Sequence, residues 1–244
     1  MRIIAVIPAR YKSSRFEGKP LADIHGKPMI WWVYQQAMKV KQLDDVYVAT
    51  DDDRIEKVCN TYGMKVIMTS SDHDTHLNRI HEVSETIDSD LYVVICGDEP
   101  LIEPNVIEEI IPINEIDSNV EFVSNLVRPF VSPTEVIDPS NIKVVLNSIG
   151  ETIMMSRSPI PFPYKTILFD YLKSIGVECY NKMALNYFIK TQRGALEKIE
   201  DITLQRFLEN HVVINTKIVE SNSLSVDTPR DLEKVRVMIA DNNG

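Results

Sequence analysis

A short basic segment follows the first predicted strand of the chain. It runs from Pro8 to Pro20 and carries four cations, Arg10, Lys12, Arg15 and Lys19. A triphosphate carries several negative charges, and its transfer needs cations and backbone amides held around it. Arginine makes forked contacts with phosphate oxygens, whereas lysine acts as a compact point charge. A single glycine supplies neither a P-loop nor a dinucleotide-binding motif. The segment is therefore a candidate triphosphate loop, although its charge alone also fits a solvated surface loop.

Two aspartates, each at the end of an apolar stretch, are predicted to end strands elsewhere in the chain. Asp98 follows the predicted buried strand 91–95, and Asp227 precedes the predicted helix 228–240. A carboxylate at the carboxyl end of a strand can reach a metal in the ligand crevice of an α/β sheet. Mg²⁺ often takes one or two carboxylates together with substrate phosphates, so the pair indicates a magnesium site. Alternatively, Asp227 or Thr228 simply caps the helix that follows.

The elements that must position these side chains alternate between strand and helix. This alternation predicts βαβ units, and hence an α/β fold with a mainly parallel central sheet flanked by helices. We expect one domain over residues 1–244, with chemistry in the loops beyond the carboxyl ends of the strands. The predicted strands are 3–7, 46–50, 65–68, 91–95, 122–127, 142–146, 175–179 and 212–219, and the predicted helices are 28–40, 52–62, 76–87, 182–190, 196–209 and 228–240.

Composition limits the classes of function. The chain has 244 residues, 44% of them hydrophobic, and a net charge of −10 that argues against broad nucleic-acid binding. Its three cysteines, at wide spacing, form neither a disulfide framework nor a zinc motif. The apolar run before Pro8 is too short for a signal peptide, and no stretch is long enough to span a bilayer. We therefore expect a cytoplasmic protein with neither nucleic acid nor membrane as a partner.

Several short motifs occur in one order along the chain. They are Pro8-Ala9-Arg10-Tyr11-x-Ser13-x-Arg15-x-x-Gly18-Lys19-Pro20-Leu21, Gly26-Lys27-Pro28-Met29-Ile30, Ala49-Thr50-Asp51-Asp52, Gly97-Asp98-Glu99-Pro100 and Val226-Asp227-Thr228-Pro229. Their order and spacing closely resemble the 3-deoxy-manno-octulosonate (KDO) cytidylyltransferases, and the resemblance covers nearly the whole chain. It implies a Rossmann-like nucleotidyltransferase fold with a smaller acceptor-side and dimerisation region. It also implies a homodimer in which the hydroxyl of a small acidic acceptor attacks the α-phosphate of CTP and releases pyrophosphate.

The resemblance also implies roles for individual residues. For the nucleotide it implies contacts with Pro8, Ala9, Arg10, Ser13, Arg15, Lys19, Arg79 and Asp98, of which Arg10, Arg15, Lys19 and Asp98 would serve catalysis. For Mg²⁺ it implies Asp98 and Asp227. For the acceptor it implies Arg157, Ser174, Glu200 and Arg206.

The chain departs from the family pattern mainly on the acceptor side. Residues 74–78 replace a small Ser-Gly-Thr-Glu stretch, and Cys96 stands where the family has glutamine. Ser174 replaces a histidine, and Thr203 and Leu204 replace a Glu-Gln pair. Because mispaired polar groups in a binding site are costly, we expect an acidic acceptor other than KDO, with KDO itself a poor substrate.

Other kinds of site remain open at this stage. Asp51-Asp52-Asp53 resembles the metal motif of a nucleotide-sugar-dependent glycosyltransferase, although that class lacks a triphosphate-binding loop after its first strand. A catalytically silent nucleotide-binding regulator is a second alternative, against which the pair Asp98 and Asp227 argues. His73 and His76 are spaced as metal ligands on one helix face, but no further ligand lies nearby, so a loop or nucleotide contact is favoured.

Overall fold

The computed structural model describes residues 1–13, 15–166 and 169–242. Its strands are β1 (Ile3–Ala9), β2 (Asp23–Ile24), β3 (Lys27–Pro28), β4 (Asp45–Thr50), β5 (Val66–Met68), β6 (Leu91–Ile95), β7 (Val123–Pro129), β8 (Lys143–Leu146), β9 (Thr152–Ser156), β10 (Leu172–Tyr180) and β11 (Ile214–Ile218). Its helices are α1 (Met29–Ala37), α2 (Asp53–Thr61), α3 (His76–Thr86), α4 (Pro104–Glu108), α5 (Pro133–Ile137), α6 (Lys182–Lys190), α7 (Ala195–Glu200), α8 (Gln205–Leu208) and α9 (Pro229–Asn242).

One large sheet organises the molecule, with the strand order β11-β7-β10-β6-β1-β4-β5. Strands β6, β1, β4 and β5 run parallel, and β11 is parallel to β7. Strand β10 is antiparallel to both of its neighbours on this path, β6 and β7. Strands β8 and β9 extend the sheet beside β10. The prediction of an α/β fold with a mainly parallel sheet is confirmed.

The sheet is covered on both faces, because successive side chains of a strand point to opposite sides. In β1, Ala5 and Ile7 pack into one apolar cluster, whereas Ile4 and Val6 pack into another. The first cluster includes apolar residues of α1, α2 and α4, and the second includes residues of α3, α6 and α8. Every residue of β6 is buried, as expected of a central strand with helices on both sides.

The parallel strands bring the loops after β1, β4 and β6 to the same edge of the sheet. A third apolar cluster attaches α9 to this edge, through Val226 and Leu232 packing with Ile24 and Met29. The backbone N–H of Val226 donates a 2.9 Å hydrogen bond to the carbonyl of Asp98. The chain segment before α9 is thereby held directly against the loop after β6.

Two predictions about local structure were wrong. The predicted helix 196–209 is two short helices, α7 and α8, because Asp201 adopts a left-handed conformation with φ of 50° and ends α7. Asp227 does not end a strand, since β11 finishes at Ile218 and an irregular segment leads to α9. Strand β9 and helices α4 and α5 were not predicted. No helix in the described part of the chain is long and apolar enough to cross a membrane.

Candidate active site

The basic loop after β1 is held closed by contacts of its own. The N–H of Gly18 donates a 2.8 Å hydrogen bond to the carbonyl of Tyr11. Gly18 has φ of 69°, and a Cβ there would lie 3.1 Å from the ring of Tyr11, so the close approach favours glycine. The guanidinium of Arg54 stacks on the Tyr11 ring, with Cζ 3.2 Å from the ring centroid. These contacts fix the loop so that Lys19 lies at the edge of the sheet.

Lys19 joins the two predicted metal ligands. Its Nζ lies 2.6 Å from Oδ2 of Asp98 and 3.7 Å from Oδ1 of Asp227. The guanidinium of Arg15 lies 3.0 Å from Oδ1 of Asp227. Both carboxylates are partly exposed, at 24% of the side-chain surface, so they remain reachable from the cavity. The structure thus brings together four residues that the sequence analysis placed in three different motifs.

Helix α9 is capped by the residue that follows Asp227. The hydroxyl of Thr228 accepts a hydrogen bond from the N–H of Asp231, and the Asp231 carboxylate accepts one from the N–H of Thr228. This reciprocal pair is a capping box. Thr228, and not Asp227, therefore caps α9. The carboxylate of Asp227 pairs with Lys19 and Arg15 instead.

Further residues expected to contact the nucleotide lie at the end of β1 and in the loop that follows it. Ala9 is buried at the end of β1, and Nη2 of Arg10 donates a 2.6 Å hydrogen bond to the carbonyl of His73. The hydroxyl of Ser13 accepts a 3.3 Å hydrogen bond from Phe16 within the loop. Pro8 precedes them in β1, beside Ala49 of β4.

Arg79 is fully buried behind this edge. One guanidinium nitrogen bonds the hydroxyl of Thr69, and Nη2 lies 3.1 Å from Oδ1 of Asp51. Within the described part of the chain, neither Nε nor Nη2 of Arg79 makes a well-aligned hydrogen bond. Burial lowers the pKa of Arg79 and the charge of Asp51 opposes that shift. Nε and Nη2 of Arg79 therefore keep unused hydrogen-bond donors behind the carboxyl ends of β4 and β5.

A cavity of about 410 Å³ opens in front of the two aspartates. Its lining includes Arg15, Asp98 and Asp227 together with the residues that the resemblance assigns to the acceptor region, Arg157, Ser174, Thr203 and Leu204. Strand β10 forms one wall, where a register shift between Ser174 and Glu178 interrupts the pairing with β7. A Cβ at Gly176 would lie 2.7 Å from Cβ of Cys96, so this wall packs closely against the end of β6.

Arg157 lines the cavity, but its guanidinium is occupied. It donates hydrogen bonds to the backbone carbonyls of Pro139, Glu200 and Asp201 at 2.9, 2.5 and 3.1 Å. The Glu200 carboxylate in turn accepts from the Ser156 hydroxyl and from the backbone N–H of Arg157. These bonds join β9 to the break between α7 and α8. Glu200 is absent from the cavity lining. Its carboxylate stabilises the fold by bonding Ser156 and the backbone of Arg157.

Arg206 lies away from the cavity and is 5% exposed. It forms a forked ion pair with Glu197, with two N–O distances of 2.7 Å, and donates to the carbonyl of Phe188. Its guanidinium also stacks 3.7 Å from the centroid of the Phe188 ring. The structure therefore does not bring Arg206 to the acceptor, and all of these contacts hold α8 against α6 and α7.

Lys173 and Glu99 are charged residues of the cavity wall to which the sequence analysis gave no role. Lys173, on β10, lines the cavity, and among the described residues it has no ion pair within 4 Å. Burial lowers the pKa of Lys173, and the charge of Arg128 lowers it further. Glu99 is 5% exposed, and burial, with the charge of Asp98, raises its pKa to about 7. The predicted strand 175–179 begins after Lys173, so no strand pattern marked this residue.

The alternative sites do not form. Asp51 faces Arg79, while Asp52 caps α2 and pairs with Arg54, so these carboxylates do not converge as metal ligands would. His73 bonds Glu82, whereas His76 bonds Glu178. Among the described residues there is no cluster of three or more histidine, cysteine or carboxylate side chains that could hold a metal by itself.

Comparison with known proteins agrees with this geometry. Residues 4–218 match the model of the family described as cytidylyltransferase. The 3-deoxy-manno-octulosonate cytidylyltransferase of Escherichia coli is 38% identical over 98% of this chain and 96% of its own length. The 8-amino-3,8-dideoxy-manno-octulosonate cytidylyltransferase of Shewanella frigidimarina is 40% identical over 98% of this chain and 99% of its own.

The solved structure of a CMP:2-keto-3-deoxy-manno-octonic acid synthetase complexed with CTP superposes with a TM-score of 0.92. It is 38% identical, and the match covers 99% of this chain and 100% of that one. A mainly parallel sheet with a basic loop and two aspartates at one cavity is the arrangement of a nucleotidyltransferase. The chain belongs to the cytidylyltransferase family.

Proposed function

We propose that the protein transfers CMP from CTP to the hydroxyl of a 3-deoxy-octulosonic acid, with release of pyrophosphate. The observation that carries the proposal is the meeting of Lys19 and Arg15 with Asp98 and Asp227 at the mouth of one cavity. The similarity to enzymes named for this reaction and to a CTP complex supports the choice of nucleotide and acceptor class.

The reaction needs positioning and charge neutralisation more than covalent help from the protein. A bond forms between the acceptor oxygen and the α-phosphorus, and the bond to the β-phosphate oxygen breaks. In this proposal Arg10, Arg15 and Lys19 hold the triphosphate, so that negative charge developing on the pyrophosphate is met by fixed cations. Arg79 is fully buried behind the same sheet edge, so its guanidinium has no direct access to a nucleotide in this structure.

The pair Asp98 and Asp227 fits a magnesium ion. Both carboxylates lie within 4 Å of a single cation, Nζ of Lys19, so one site can be shared by the two side chains. Mg²⁺ bound there would neutralise charge on the phosphates and polarise the α-phosphate. With only two carboxylates, its other ligands would come from phosphate oxygens and water, as is common for Mg²⁺.

The acceptor in this proposal carries a carboxylate. Lys173 is a cavity cation for which the described residues provide neither a carboxylate partner nor a side-chain hydrogen bond, and it lies near Glu99 and Asp227. Arg157 and Arg206 were the expected anion ligands, but their donors are used by the protein itself. Lys173 therefore replaces them as the proposed contact for the acceptor's acid group.

A homodimer is the proposed assembly. Large apolar side chains of the segments around β9 and the proline-rich loop are exposed, with Phe162 at 80%, Tyr164 at 86% and Ile153 at 59%. In this proposal the second subunit covers these side chains, because burying exposed apolar surface favours association. Light scattering with size exclusion tests the proposal, and a monomer at micromolar concentration would contradict it.

The function is tested by measuring pyrophosphate release from CTP with a panel of acidic sugars. We expect release that depends on Mg²⁺, on CTP and on a 3-deoxy-octulosonic acid. Transfer of a sugar from a nucleotide sugar, without pyrophosphate, would indicate the glycosyltransferase alternative. Binding of CTP without turnover of any acceptor would indicate a regulator.

A further inference from the structure

A buried carboxylate lies in the acceptor wall of the cavity. Glu178 is part of β10, where its neighbours Val177 and Cys179 are fully buried and apolar, and it pairs across the sheet with Val94. Its side chain is 13% exposed and lines the cavity. A carboxylate is rarely placed in such a strand without a partner, because removing the charge from water is costly.

The contacts of Glu178 occupy only one of its two oxygens. Oε2 lies 2.9 Å from Nε2 of His76 and accepts a 2.7 Å hydrogen bond from the hydroxyl of Tyr180. His76 is fixed in the first turn of α3, where Thr75 and Asn78 form a capping box. Among the described residues, no hydrogen bond reaches Oε1, which is not sealed from the cavity. One acceptor oxygen is therefore held ready for a ligand.

The carboxylate of Glu178 is kept ionised. Burial by itself raises the pKa of Glu178, but the charge of His76 and the hydrogen bonds from His76 and Tyr180 outweigh burial, so the pKa lies below its usual range. Within the described part of the chain, no lysine or arginine forms an ion pair with Glu178. A negative charge in the cavity wall thus lacks the strong cation partner that such a charge normally has.

The two kinds of relative differ at one substituent of the acceptor. One is named for 3-deoxy-manno-octulosonate, and the other for its 8-amino-3,8-dideoxy counterpart. A hydroxyl donates a neutral hydrogen bond to a carboxylate, whereas a protonated amine donates a charge-assisted bond that is about twice as strong. The ionised oxygen of Glu178 therefore distinguishes the two acceptors in favour of the amine.

Resting on the function proposed above, we propose that Glu178, positioned by His76, receives a protonated amino group of the acceptor and selects an amino-substituted octulosonic acid over KDO. Lys173 and Glu178 then act on opposite charges of one zwitterionic acceptor. Lys173 faces the acid group near Asp227, and Glu178 faces the amine near α3.

The test compares kcat/KM for KDO and 8-amino-3,8-dideoxy-manno-octulosonate at neutral pH, where the amine is protonated. We expect the wild type to prefer the amino acceptor by at least about ten-fold, as a charge-assisted bond predicts. E178Q keeps an oxygen for His76 and Tyr180 but removes the charge. It should lose most of this preference by raising KM for the amino acceptor, with the KM for CTP unchanged. The control E85Q removes an exposed carboxylate of α3 and should keep the preference.

Different failures of this test have different meanings. A wild-type preference for KDO, or equal losses with both acceptors in E178Q, would overturn the role of Glu178. Should E178Q fail to fold, the wild type is assayed with the N-acetylated amino acceptor, which has no charge. Equal use of the acetylated and free amines would also overturn the inference. Pyrophosphate release with both octulosonates but without a preference for the amino acceptor would reject the inference alone, whereas no release with either octulosonate would reject the proposed function.

Discussion

Nζ of Lys19 lies 2.6 Å from Oδ2 of Asp98, so an ion pair joins the loop after β1 to the loop after β6. The two loops are 79 residues apart in sequence, and the parallel pairing of β1 with β6 places them side by side. In the proposed reaction, this is where cations for the triphosphate meet carboxylates for a metal. The pair is expected to open when CTP and Mg²⁺ bind, because both partners then gain stronger opposite charges.

Both aspartates are expected to be essential for turnover. Asp98→Asn and Asp227→Asn should each lower the rate of pyrophosphate release by about two orders of magnitude or more, because charge is lost at the metal site. Their melting temperatures should change little, and Asp117→Asn, at an exposed position, should behave as the wild type. Near-normal release by either variant at saturating Mg²⁺ would disprove the metal assignment.

Arg15 is expected to distinguish CTP from CMP. Its guanidinium, with 58% of the side chain exposed, pairs with Asp227 and is free to turn towards the phosphates. Arg15→Ala should therefore weaken CTP binding about ten-fold or more and CMP binding less, since forked contacts are made to the outer phosphates. Calorimetry with both nucleotides measures this, and Lys41→Ala serves as a surface control. Equal weakening of CTP binding and CMP binding would show that Arg15 does not contact the outer phosphates.

Arg206 is expected to contribute to stability and not to acceptor binding. Glu197→Gln breaks its buried ion pair and should lower the free energy of unfolding by about 3–5 kcal/mol, the usual cost of leaving such a charge unpaired. The KM for the acceptor should stay close to the wild-type value in the folded protein. Lys217→Ala, which removes an exposed ion pair with Glu109, should cost less than about 1 kcal/mol. A large rise in acceptor KM without loss of stability would restore the substrate-binding role.

Lys173 is expected to bind the acid group of the acceptor. Lys173→Met keeps the apolar part of the side chain and removes the charge, so the KM for the acceptor should rise about ten-fold or more while the KM for CTP changes little. Lys190→Met, at the exposed end of α6, provides the matched control. Steady-state kinetics with each substrate varied in turn would decide, and an unchanged acceptor KM would contradict the assignment.

The fold of the first half was predictable because its signals are local. Strand β6 is a run of apolar residues, and its observed bounds equal the predicted ones. The predicted helix 196–209 failed because an apolar spacing alone cannot reveal its break. At that break Asp201 is left-handed, and the guanidinium of Arg157 binds the carbonyls of Glu200 and Asp201. Such a contact joins distant parts of the chain and leaves no periodic signal.

The candidate site was predictable where motif order identifies residue types, as for Lys19 and Asp98. The sequence patterns could not predict which side chains of the candidate site face the cavity. Arg206 matches the family motif but turns into the core, whereas Lys173 and Glu178 face the cavity from β10, of which only residues 175–179 were predicted as a strand. Which side chains of β10 point into the cavity depends on the register shift in this strand, and sequence patterns do not reveal that shift.

Transfer of CMP to an octulosonic acid is tested by identifying the product. The purified protein is incubated with CTP, Mg²⁺ and either octulosonate, and the products are identified by mass spectrometry and phosphorus NMR. We expect a CMP-linked sugar acid and one pyrophosphate for each CTP consumed. Recovery of CTP unchanged with both acceptors, or hydrolysis to free CMP without a linked sugar acid, would contradict it.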